Sequence, residues 1–211
     1  VHSASQDLGR SPSRTTVVPF TKPLAKLGLA SELRSTLILS SLESLRTGGL
    51  MDRYHGLLAP SYAGAIDHLV AGVWLPMEVA VAHYDACERL GLTLEEQLQL
   101  GAAVSERVHG SFLMLLRAAR KVGATPWTAL SKTAHMYDRL FQGGGGVGVR
   151  KLGPKEARLD LVGVPALDVP YFRHALRGVV EAGASLFCSR CYVRELRRPG
   201  LASASLRISW V

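Results

Sequence analysis

"RLFQGGGGVGVRKLG", residues 139–153, is the stretch on which the fold turns. It contains a literal G-x-G-x-x-G at Gly143, Gly145 and Gly148. A dinucleotide-binding loop needs a strand before such glycines and a helix after them, because the helix N-terminus receives the pyrophosphate. Here the order is reversed. Ahead of the run, Thr125 can cap a helix with Pro126 in its first turn, and the pattern predicts that helix as far as Phe141. After it, "VGVRKL" and "EARLDLV" alternate with a period of two around the turn "GPK". No Gly-Lys-Ser/Thr follows, which excludes a Walker loop. The glycines therefore mark a bend, with Gly143 expected in the left-handed position that ends a helix.

Upstream of the bend the period is helical. Ser31 can cap "ELRSTLILSSLESLR", where Leu33, Leu37, Ile38, Leu42 and Leu45 recur on one face. "MEVAVAHYDACERLG" carries Met77, Ala80, Val81 and Tyr84 on one stripe, widened by Val79, Ala82, Ala86 and Leu90, so this helix is expected to be largely buried. Thr93 and Glu96 form a capping box, and the helix they open is expected to run to Val122, about 42 Å long. Downstream, "DVPYFRHALRGVVEAG" reads as a helix, and "LFCSRCYVREL" and "ASLRISWV" as strands around "RPG". The expected fold is α+β: an N-terminal helical layer followed by a β-β-α-β-β antiparallel sheet unit covered by helices on one face, with every strand placed after the glycines. One domain is expected over residues 18–211, its helical part 18–142 and its sheet part 143–211, after a disordered lead of residues 1–17.

Composition narrows the role. The 211 residues are 47% hydrophobic and 20% charged, values of a globular domain. No apolar run reaches the roughly 18 residues of a membrane span. The polar opening lacks an apolar leader core, and three cysteines form no disulfide framework, so a reducing cytoplasm is expected. The net charge of +8 is uneven: from Arg150 onward eleven Lys/Arg face five acids, leaving +6 on the C-terminal third. Such a face can attract nucleic acid, anionic lipid or an acidic protein partner, although an arginine-rich soluble surface is the better reading; no feature points to specific nucleic-acid recognition.

Chemistry-bearing motifs are sparse. Cys188-Ser-Arg-Cys191 could be a redox pair, but a zinc site wants four ligands and Cys87 is the only other thiol. No metal site is expected, and two small half-buried residues are the better reading. His83 lies in an apolar arc without a second histidine at i+4, as a hydrogen-bonded core histidine would. His135 projects about 130° from the stripe Trp127, Leu130, Ala134, Tyr137 and Phe141, among polar neighbours. Neither G-x-S-x-G nor H-E-x-x-H occurs, and the adjacent Glu95 and Glu96 cannot face each other on one helix face. No catalytic set is expected.

The helical body followed by "DRLFQGGGGVGVRKLGPKEARLDLVG", "PYFRHALRGVVEAGA" and "SLRISWV" resembles a group of sensor-like domains. These are the haem nitric-oxide/oxygen-binding (H-NOX) domains, the 4-vinyl-reductase-type domains and the transport-particle (TRAPP) subunits; the resemblance is nearest to a paralogous family abundant in myxobacteria. It implies a ligand- or partner-binding domain used in signalling or as a scaffold, often a homodimer. H-NOX domains carry a proximal haem histidine on the helix before the sheet, and His135 is the only position that matches. Their Y-x-S-x-R motif for the haem propionates has no counterpart, since the strand here reads "RLDLVG". The reading is a non-enzymatic, cofactor-free domain that binds a small apolar ligand, with Trp74, Met77, Tyr84, Phe112, Met114 and Trp127 as pocket candidates. Its alternatives are a dimeric scaffold acting through protein interfaces, haem-based gas sensing through His135, and a Cys188/Cys191 redox switch.

Overall fold

The computed structural model describes residues 15–108 and 123–211, with the backbone alone for 106–108. Its centre is a five-stranded antiparallel sheet in the order β1-β5-β6-β8-β7. The strands are β1 (Thr16–Val18), β5 (Gly146–Gly153), β6 (Glu156–Val162), β7 (Cys191–Glu195) and β8 (Ser203–Trp210). Between β6 and β7 runs the helix Pro170–Ser185, so the predicted β-β-α-β-β order is the order of the structure. Strand β8 inserts between β6 and β7, pairing Leu159 with Leu206 and Val193 with Ile208. Along β6, Ala157, Leu159 and Leu161 are buried against the helices while Arg158 and Asp160 point to the opposite face.

The helical layer comprises α1 (Ser35–Thr47), α2 (Met51–Leu57), α3 (Pro60–Asp67), α4 (Met77–Glu88), α5 (Leu94–Val108), α6 (Pro126–Leu130) and α7 (Thr133–Leu140); the inter-strand helix is α8. The caps are where local chemistry places them. Thr93 N–H donates to Glu96 Oε2 at 2.7 Å, and Glu96 N–H returns to Thr93 Oγ1 at 3.3 Å. Thr125 N–H donates to Thr128 Oγ1 at 3.3 Å ahead of Pro126. The expected extension of α5 beyond Val108 lies outside the described residues.

Three expectations are corrected. First, strands do precede the glycine bend. Glu32–Arg34 forms β2, which pairs with β3 (Trp74–Pro76) and with β4 (Phe141–Gln142) in a second, three-stranded sheet. Hence α1 begins at Ser35, and Ser31 does not cap it; the Ser31 N–H donates instead to Gln142 O at 2.9 Å. Long-range pairing overrides the local helical pattern of "ELR". Second, the chain enters the main sheet at Thr16, within the segment expected to be disordered through residue 17, so the division between a helical part and a sheet part is not clean. Third, the helix expected from Pro126 to Phe141 breaks at Ser131–Lys132. Ser131 Oγ donates to Thr128 O and Thr133 Oγ1 to Leu130 O, each at 2.9 Å, which offers the backbone a turn in place of the next helical bond.

The glycine run serves close backbone approach. Gly143 and Gly145 take φ of +89° and +69°. A Cβ on Gly144 would lie 2.5 Å from Leu29 O, and one on Gly145 2.1 Å from Tyr137 Oη. Gly145 N–H donates to Gly28 O at 2.8 Å and Tyr137 O–H to Gly144 O at 2.9 Å, so the run is locked between the 28–31 segment and α7. Gly143 is left-handed as expected, but β4 separates it from the helix end at Leu140.

Candidate functional site

Between the helical layer and the inner face of the sheet lies an apolar cavity of about 130 Å³. Its floor is Val147 of β5 with Leu159 and Leu161 of β6. Leu100, Gly101 and Val104 of α5 and Ala175, Leu176 and Val180 of α8 form one wall; Met136, Tyr137 and Leu140 of α7 form another. Leu37 and Ser41 of α1, Tyr84 of α4, Phe141 of β4 and Tyr171 and Phe172 of α8 also line it. Among the described residues the lining contains no Lys, Arg, His, Cys, Asp or Glu. Three of its polar groups are turned to protein partners: Tyr137 O–H to Gly144 O, Thr133 Oγ1 to Leu130 O, and Ser41 Oγ to His83 Nε2 at 3.0 Å. The surface left to meet a guest is mostly hydrocarbon.

Behind Ser41 lies a buried polar cluster. The His83 ring is flanked by the Tyr54 hydroxyl at 2.8 Å from Nδ1 and by Ser41 at Nε2, with Cys87 Sγ 3.7 Å away. Burial pushes the His83 imidazole down to about 3, so it is neutral, and it pushes the Cys87 thiol and the Tyr84 and Tyr171 phenols up. His83 is thus a core histidine with both nitrogens engaged. The cluster joins α1, α2 and α4 at the side of the cavity, where Tyr84 packs on Phe172 at 4.4 Å between ring centroids.

Of the predicted pocket residues, Tyr84 lines this cavity. Trp74, Met77 and Trp127 do not, and the reason is specific to each. Trp74 sits in β3 with the Arg34 guanidinium 4.5 Å above its ring. Met77 is buried at the start of α4, where its N–H donates to Ser31 O. Trp127 packs edge-on against Trp210 at 4.9 Å, and its Nε1–H donates to Pro154 O at 2.9 Å, tying α6 to the β5–β6 turn. Phe112 and Met114 lie outside the described residues. Met136 and Leu140 were missed because a helix drawn without a break at 131–132 puts Ala134, Tyr137 and Phe141 inward. Restarted at Thr133, it turns Thr133, Met136, Tyr137 and Leu140 to the cavity.

Comparison with solved structures places this architecture. An H-NOX domain solved in work on haem distortion in that family superposes with a TM-score of 0.60 at 12% identity, covering 84% of this chain and 95% of the other. An oxygen-binding H-NOX domain related to soluble guanylate cyclases gives 0.58 at 13% identity, covering 84% and 95%. An H-NOX protein from K. algicida, iron(II) and unliganded, gives 0.62 at 8% identity, covering 85% and 97%. The chain has the H-NOX fold. No protein-family model matches it, and no curated protein matches it in sequence.

Within this H-NOX fold, His135 is exposed on α7 and absent from the cavity lining. Cys188 lies between α8 and β7, not in a strand as expected, and this brings its thiol to that of Cys191, the first residue of β7. Both are free. Burial first, then the neighbouring Cys188 and Glu181, pushes the Cys191 thiol up to about 12, which keeps it protonated and a poor nucleophile at neutral pH. Among the described residues no group of three His, Cys, Asp or Glu is placed to hold a metal ion, and no helix is long and apolar enough to cross a membrane.

Proposed function

We propose that this chain is a non-enzymatic, sensor-like domain whose H-NOX-fold cavity takes a small apolar molecule without haem. The observation that carries the reading is the cavity itself, with about 130 Å³ of space and, among the described residues, a lining without a charged group. A dry apolar cavity of roughly 150 Å³ takes a benzene-sized guest. The class of ligand supported is therefore a small ring or branched hydrocarbon, held by dispersion and by removal of its surface from water.

The H-NOX domains it resembles include proteins studied for haem distortion and oxygen binding. The described residues do not fit that group. A tetrapyrrole exceeds a drug-sized ligand, which already takes roughly 300–1,000 Å³. The lining described has no histidine or thiolate for the iron and no cation for the propionates, while His135 points to solvent.

The test uses toluene as probe. At tenfold excess over its Kd, a ligand that binds only the folded chain adds about 1.4 kcal/mol. For a chain of this size that raises Tm by about 3–5 °C. Val180→Phe fills the cavity from α8 and is expected to abolish the shift. A purified protein without a Soret band, with a toluene shift lost in V180F, supports the reading. A Soret band returns the haem reading, and the absence of any shift in the parent chain ends the small-ligand one.

A further inference from the structure

The opposite face of the main sheet carries a feature that packing does not require. Strand register sets Arg150 across from Arg158, Arg158 across from Arg207, and Arg207 across from Arg194. Four guanidinium side chains therefore form one row over four adjacent strands, about 14 Å long at the usual strand spacing of about 4.8 Å. Like charges placed directly opposite each other in a sheet disfavour the fold. Three such pairs in succession point to a use.

The face already shows what this row recognises. Asp160, nearly buried, is held by Arg150 Nη2 and Arg158 Nε, each at 2.8 Å. Glu156 pairs with Arg207. Arg194 is exposed and has no ion-pair partner among the described residues. Four arginines against these two carboxylates leave a charge of +2. Beside Arg150 and Arg158 opens a groove of about 320 Å³ whose other wall is Val18, Phe20 and Leu24. Of that wall, the Phe20 ring packs directly over Gly148, where a Cβ would lie 2.6 Å from it.

We infer that this face docks an acidic, partly apolar peptide segment of a partner protein, with carboxylates on the arginine row and an apolar side chain in the groove. Arginine guanidinium groups match carboxylates, and within the chain Asp160 already accepts one hydrogen bond from Arg150 and one from Arg158. A single-stranded nucleic acid would want successive aromatic platforms and a larger charge; here Tyr192 is the exposed aromatic of strand β7, at 49%. The face also shares β6 with the cavity, since Leu159 and Leu161 line one while Arg158 and Asp160 line the other. The docking inference does not depend on the cavity being filled.

The probe is a fluorescein-labelled decapeptide of alternating Glu and Leu, titrated with the full chain at low salt and followed by anisotropy. R194T/R207T is expected to weaken binding about tenfold while melting close to the parent, since the like-charge pairs it removes and the strand-forming residue it installs offset the loss of the solvent-facing Arg207–Glu156 pair. A single R194E change, which leaves the Glu156 and Asp160 pairs intact, is expected to weaken it severalfold. Unchanged affinity in both variants would overturn the inference. So would equal binding of a Lys-Leu peptide, or an oligothymidylate of the same charge binding more tightly than the acidic peptide.

Discussion

Gly178→Ala is expected to lower the melting temperature by roughly 6–12 °C, whereas Gly183→Ala, five residues along the same helix, raises it slightly. Both changes improve helix propensity, by about 0.5–1 kcal/mol. They differ in what the new methyl meets. At Gly178 a Cβ would lie 2.1 Å from Leu98 O on α5, and the reciprocal contact has a Cβ on Gly101 1.9 Å from Ala175 O. These are backbone atoms, which cannot swing aside as a side chain would. The α5 and α8 helices must separate, and with them the cavity wall that both supply, at a cost of about 3 kcal/mol or more for overpacking. At Gly183 nothing lies within 4 Å. Thermal unfolding followed by circular dichroism separates the pair; equal shifts would mean that α5 and α8 do not pack through these glycines.

The second large effect concerns pH. His83 has a folded-state value pushed down to about 3 by burial, against about 6.5 in an unfolded chain. Between these values the unfolded state binds a proton that the native state refuses. Stability is therefore full above pH 6.5 and falls as the pH drops toward 3, by about 1.4 kcal/mol per pH unit and about 4–5 kcal/mol in all. His174, also held low by burial beside α5, adds a loss of the same sign. Asp160, held low by Ser205, Arg150 and Arg158 against the opposing effect of burial, adds a further loss only where carboxylates begin to protonate. Urea unfolding at pH 7.5, 6 and 5 measures the slope. In His83→Leu the slope shrinks by about one proton's worth, while stability at pH 7.5 drops by about 1–3 kcal/mol for the Tyr54 hydroxyl left without its partner. An unaltered slope in the variant would show that the ring is not buried neutral.

Part of this architecture is legible in the residue order. The reversal of elements around Gly143–Gly148 excludes a nucleotide loop, and the period-two pattern of "EARLDLV" places Leu159 and Leu161 inward and Arg158 outward. The cavity was legible only in part. Its walls come from α1, α4, α5, α7 and α8 as well as the sheet, and no periodicity in one segment reveals that five helices leave a gap between them. Aromatic and methionine side chains are equally good fillers, which is why Trp74 and Trp127 looked like pocket residues and instead anchor strand β3 and helix α6.

What the residue order by itself determined is local: the caps at Thr93 and Thr125, the alternation of the strands, and the bend at the glycines, each set by groups within a few residues of one another. Tertiary structure alone decided the pairing of "ELR" with β3 and β4, the space beneath α8 and the alignment of four arginines into one row. Register and enclosed volume belong to segments that meet only after the chain has folded. A one-residue slip of β8 would turn Arg207 inward and scatter the row, although no residue had changed.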